Sequence, residues 1–168
     1  MVDGGSSTKG RARIVIDGTV VSRPEYFEDF VVGAVFEFGS ITVTQPEIIA
    51  FACQFDPQTM HTDPEAAANG PTGGLIASGW HTIALMMRMY AEHFLPKNGL
   101  PAPGVDEVRW LRPVRPGDTL RMRVTIQEAR VSRSKPDRGV IRPFSEVLNQ
   151  RDEVVLTLLP INLVRRRP

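Results

Sequence analysis

A carboxylate and an imidazole stand five residues apart in Phe55-Asp56-Pro57-Gln58-Thr59-Met60-His61-Thr62-Asp63-Pro64. The stretch reads as a loop between two helices, and Pro57 inside it can help aim both side chains into one pocket. Adding water to an unsaturated thioester needs such a pair. One group takes a proton from water, and the other manages the proton at the α-carbon. Histidine titrates near neutral pH, and burial can tune a carboxylate toward that range. The spacing alone is equally compatible with two capping or turn residues.

A second stretch is Gly73-Gly74-Leu75-Ile76-Ala77-Ser78-Gly79-Trp80-His81-Thr82, at the mouth of a long helical pattern. The first N–H groups of a helix lack internal partners and sit at the positive end of its dipole. A glycine there lets a carbonyl approach closely. Such an end can hold the enolate oxygen that develops when a thioester gains or loses an α-proton. The plainer alternative is a tight helix entry at Gly79 with Ser78 as the cap. His81 reads as a core histidine hydrogen-bonded to a neighbour, with a substrate contact as the other reading. Ser78 and the Ser-hydrolase elbow do not match, because Gly-x-Ser-x-Gly is absent around it. His93 suits the negative end of the same helix.

These residues need elements to position them. Residues 1–10 read as disordered. Arg13–Ile16 and Thr19–Val21 flank Asp17-Gly18, a tight-turn pair, and predict a short hairpin. Residues 1–24 are thus an N-terminal extension, and 25–168 one domain. Tyr26 to Val43 reads as extended. Thr44-Gln45-Pro46-Glu47 has the signature of a capping box and opens a helix to about Gln54. Phe55 to Met60 is a loop, and Asp63-Pro64 starts another short helix. Ser78 to Leu95 is the longest helix, with Ile83, Met86, Met87, Tyr90 and Phe94 on one stripe and further apolar residues on other sides. That pattern predicts a helix covered nearly all round. Period-two segments follow at 105–111, 120–127, 140–149 and 154–164. Pro160 predicts a bulge or an edge. Strands in runs beside one buried helix argue α+β, with a curved antiparallel sheet around the helix.

Composition narrows the classes. The 168 residues suit one domain, and 42% apolar content supports an ordinary core. A net charge of +1 with mixed signs gives no case for nucleic acid or a membrane surface as partner. Arg165-Arg166-Arg167 reads as a solvated tail. No run approaches the roughly 20 apolar residues that span a bilayer. The polar N-terminus lacks the apolar core of a signal peptide. The single Cys53 excludes an internal disulfide and reads as a small buried residue in a reducing, cytoplasmic setting.

Together, Asp56…His61, the run Leu75-Ile76-Ala77-Ser78-Gly79-Trp80 and Val108-Arg109-Trp110-Leu111-Arg112-Pro113-Val114-Arg115-Pro116-Gly117-Asp118 resemble the MaoC-like dehydratase family, which includes R-specific enoyl-CoA hydratases. The resemblance runs from about Tyr26 to Val164. It implies a hot-dog fold and a homodimer or dimer of dimers, with the site near the subunit interface. It also implies a hydro-lyase interconverting 2-enoyl-CoA and a 3R-hydroxyacyl-CoA in fatty acid metabolism. On that analogy Asp56 and His61 hold the catalytic water and the Gly79 N–H polarises the thioester carbonyl. Ser78, Trp80 and His81 would lie along the substrate, and no metal or cofactor is needed beyond the CoA of the substrate. Arg109, Arg112 and Arg115 are candidates for the CoA phosphates. The sequence departs from the family at Met87, where R-specific hydratases carry a Ser that bonds the Asp, and at Ser78, where a His is common. A hot-dog thioesterase and a non-catalytic acyl-binding domain are the competing readings.

Overall fold

The computed structural model describes residues 13–16, 19–21, 23–97 and 99–168. In chain order the elements are β1 (Arg13–Ile16), β2 (Thr19–Val21), a 3₁₀ turn (Phe27–Asp29), β3 (Val35–Thr42), α1 (Gln45–Phe55), α2 (Thr59–Thr62) and α3 (Pro64–Asn69). The long helix α4 (Gly79–His93) and strands β4 (Gly104–Trp110), β5 (Thr119–Val131), β6 (Arg138–Leu148) and β7 (Val154–Arg165) follow. All strands lie in one antiparallel sheet of order β2-β1-β3-β5-β6-β7-β4.

The expected hairpin strands pair with each other, and β1 pairs with β3, so they extend the main sheet. Its turn residues, and residues 1–10, lie outside the described residues. The extended reading of 26–43 fails at its start. The Asp29 carboxylate accepts the Glu25 and Tyr26 N–H groups and winds Phe27–Asp29 into one 3₁₀ turn. Pro160 sits in an interior strand, not at an edge. It pairs with Val105 where the β4 register skips, so the bulge half of that expectation holds.

α4 packs on β3 and β5. In β5 the alternation is as the sequence implies: Leu120, Met122, Val124 and Ile126 are buried, and Arg121, Arg123 and Thr125 are half-buried. Close approach of helix and sheet depends on Gly39 in β3. Its φ is +82°, and a Cβ there would meet Met89 Sδ at 2.5 Å. The core is anchored by Phe94, whose ring lies edge-on to Phe36 at 5.1 Å and to Phe30 at 5.4 Å. Burying such a side chain stabilises the fold by about 1.5–3 kcal/mol.

α4 is not covered all round. Trp80, Ala84, Met87, Arg88 and Ala91 are exposed along one face, while Met86, Met89 and Tyr90 are buried on the other. Beside this open face runs β4, an edge strand whose residues are nearly all exposed. Cys53 is exposed, not buried, because α1 turns that side toward solvent and buries Ile48 and Ala52 instead. Among the described residues, no helix is long and apolar enough to cross a membrane.

Candidate active site

Short local devices aim the site residues. Thr44 and Glu47 form the expected capping box at the start of α1, which runs through Phe55 and leaves Asp56 as its C-cap. The chain then turns through Pro57, and the Gln58 N–H closes on the Asp56 carbonyl at 2.7 Å. The stretch read as a loop to Met60 winds into a single turn, α2, which carries His61. Asp63 caps α3 by accepting from the Glu65 and Ala66 N–H groups. The approach to α4 is strapped at two places: Ile76 N–H to Met60 O, and Ala77 N–H to Val114 O at 2.8 Å.

The result brings Asp56 and His61 together. His61 Nε2 lies 3.5 Å from Asp56 Oδ2. His61 Nδ1 lies 2.8 Å from the Ile76 carbonyl. A carbonyl oxygen only accepts, so Nδ1 carries a proton, and Nε2 is the ring atom turned toward Asp56. Asp56 receives two donated bonds, from Ser78 Oγ at 2.6 Å and from Gln58 Nε2 at 2.8 Å. These bonds, Ser78 first and Gln58 second, hold its carboxyl below the usual carboxylate range, against the opposing pull of partial burial. Asp56 is therefore an anion at neutral pH. The carboxylate oxygen and the ring nitrogen face one another across 3.5 Å.

Both open onto a cleft of about 440 Å³ that Gly79, Trp80, Thr82, Trp110 and Arg112 also line. The Gly79 N–H, first in α4, has no acceptor among the described residues. Glycine is required here by a close approach: a Cβ would meet Trp110 Nε1 at 2.5 Å. The indole of Trp110 lies edge-on to that of Trp80, with ring centroids 5.7 Å apart.

Several expectations change. Ser78 does not line the cleft. It is fully buried and bonded to Asp56, so the seryl bond expected to be lost with Met87 is supplied from the other side of Gly79. His81 also points away from the cleft. One α-helical step of about 100° per residue turns it toward α1, where it stacks on Phe51 at 4.7 Å and its Nδ1 has no hydrogen-bond partner among the described residues. The expected core placement of His81 holds, but the expected hydrogen bond to a neighbour and the substrate contact do not. Of the three arginines only Arg112 reaches the cleft. Arg109 pairs with Glu107, and Arg115 donates to the Thr72 carbonyl. Trp110 and Gln58 were missed as site residues; the indole comes from β4, and only tertiary folding lays it over Gly79.

A curved antiparallel sheet wrapped on one long helix, with the pocket at that helix's first turn, is a hot-dog fold, shared with structures of this kind. The MaoC-like domain family matches residues 29–142, and the chain belongs to that family. The crystal structure of a MaoC-like dehydratase from Rhodospirillum rubrum is similar at TM-score 0.81 and 42% identity, covering 86% of this chain and 99% of that one. The uncharacterized protein YdeM of Bacillus subtilis is 30% identical over 126 residues, 74% of this chain and 88% of that protein. The 3-hydroxyacyl-thioester dehydratase Z of Mycobacterium tuberculosis is 39% identical over 84 residues, 48% of this chain and 56% of its own length.

Proposed function

We infer that the protein is a hydro-lyase interconverting a 2-enoyl-CoA and a 3-hydroxyacyl-CoA. The observation that carries this reading is that the Asp56 anion and His61 Nε2 meet in one cleft beside the unpaired Gly79 N–H. In the hydration direction the thioester carbonyl accepts from Gly79 N–H. Water donates to Asp56 and to His61 Nε2. Its oxygen attacks the β-carbon as a proton passes to Nε2, and the electron pair of the double bond moves to the carbonyl oxygen as an enolate. Gly79 N–H stabilises that charge, and the Asp56 carboxylate stabilises the imidazolium 3.5 Å away. The imidazolium then returns the proton to the α-carbon, and both groups are restored. Membership of the family and the dehydratase relative support this reaction class.

The working unit is a homodimer in this reading. The open face of α4 exposes Trp80 and Met87, and the adjoining edge exposes Val105, Trp110 and Leu111. A long exposed edge strand beside apolar surface is a place where a second copy can pair. A monomeric mass by light scattering at micromolar concentration would contradict this.

Crotonyl-CoA separates hydration from thioester hydrolysis. Hydration removes the enoyl absorbance and releases no thiol. Release of free thiol at the rate of substrate loss would replace this reading with the thioesterase one.

A further inference from the structure

The geometry points to Ser78 as the positioning residue that ties the first turn of α4 to the Asp56 carboxylate and so holds Asp56 as the anion that faces His61. This rests on the hydro-lyase reading for its kinetic consequence but not for its structural one. A serine hydroxyl has one proton and two lone pairs. The Trp80 N–H can only donate, and it reaches Ser78 Oγ at 3.2 Å. The hydroxyl proton is therefore left for Asp56 Oδ2, at 2.6 Å. The bonds run one way, from the Trp80 amide through the hydroxyl to the carboxylate. Each bond in such a chain polarises the next. The chain also starts at the positive end of the α4 dipole.

The surroundings make the arrangement specific. Ser78 is fully buried, so water does not compete for the hydroxyl. Its own carbonyl accepts from Thr82 N–H at 3.0 Å and Thr82 Oγ at 3.3 Å, which fixes the residue from the helix side. Oδ2, the oxygen Ser78 holds, is also the one that faces His61. Gln58 holds the other oxygen. One side chain thereby fixes which carboxylate oxygen meets the imidazole, and its neighbour in sequence supplies the free Gly79 N–H. The charged or titratable groups about Asp56 are His61 on α2 and, at the cleft rim, Arg112 after β4. The lowered proton affinity of Asp56, with Ser78 as its largest cause, agrees with this picture.

A purely structural N-cap is the rival explanation, and two variants separate it. Glycine is nearly as good an N-cap as serine and alanine is poor, yet both lack the hydroxyl. Ser78→Gly and Ser78→Ala should each lower kcat on crotonyl-CoA about tenfold or more, with KM little changed, and move the acid limb of the kcat–pH profile upward. If only Ser78→Ala loses activity, in step with a lower melting temperature, the role is capping and the proposal falls. The second readout needs no substrate: carboxyl ¹³C NMR titration of Asp56 in the native protein and in Ser78→Gly. A higher midpoint in the variant supports the proposal, and an unchanged midpoint overturns it. A native protein inactive on enoyl-CoA would sink the hydro-lyase reading, while this titration would still decide the part of Ser78.

Discussion

The two ends of α4 are built on opposite rules. At its C-terminal end polar groups and aromatic rings are mostly taken up by neighbours, although the buried Arg23 Nε has no partner among the described residues. Arg23 donates to the carbonyls of Ala91, Glu92 and Leu95, Tyr90 donates to the buried Asn162 at 3.0 Å, and Phe94 is enclosed by Phe30, Phe36 and Phe38. At its N-terminal end polar groups gather at one cleft: the Gly79 N–H, which has no acceptor among the described residues, His61 Nε2, and the Asp56 anion held by Ser78 and Gln58. The closed end fixes the helix on the sheet. The open end presents one backbone donor, one ring nitrogen and one carboxylate to the cleft. An unmet hydrogen bond is costly inside a fold, so a Gly79 N–H without an acceptor beside that pair marks where a ligand belongs.

The contrast predicts that substitutions at the two ends separate stability from activity. The largest effect is at the closed end. Phe94→Ala should cost about 3–5 kcal/mol of stability in urea unfolding, while the folded fraction keeps its kcat. At the open end, Asp56→Asn and His61→Ala should each lower hydratase kcat by about a hundredfold or more, with melting temperatures near native. Loss of folding in the second pair, or loss of kcat in the first, would break the comparison. Gly79→Ala is milder. Its methyl group pushes the Trp110 indole aside, and a misplacement of that size lowers kcat by about ten- to a hundredfold.

The smallest effect lies just behind the site. Burial holds the His81 imidazole below its ordinary 6.5, partly offset by the Glu47 carboxylate. As pH falls below 6.5, the unfolded chain takes up a proton at this position that the folded chain resists. The unfolded state then binds more protons, so stability declines as pH drops through that value. His81→Phe, which can keep the stack on Phe51, should flatten this dependence in urea midpoints measured on either side of 6.5. An equal slope in both proteins would remove His81 from the account.

Much of this was legible from local pattern. The Thr44–Glu47 box, the Asp63 cap, the alternation of β5 and the pairing of Asp56 with His61 are each set by residues a few positions apart. What local pattern missed depends on distant chain segments. Ser78 meets Asp56 across 22 residues, and Trp110 reaches Gly79 from another element. The open face of α4 was misread because Trp80, Ala84, Met87 and Ala91 have the same hydropathy whether or not another part of the chain covers them. Cys53 was misread for a related reason: an apolar run does not reveal which side of α1 meets the core.

The central claim is that Asp56 and His61 act as one device on one water. The most direct measurement compares crotonyl-CoA hydration by Asp56→Asn, His61→Ala and the double variant. Residues acting as a unit give a double variant no slower than the worse single one, and that is the expected result. Losses that multiply in the double variant, or a single variant with near-native kcat, would contradict it.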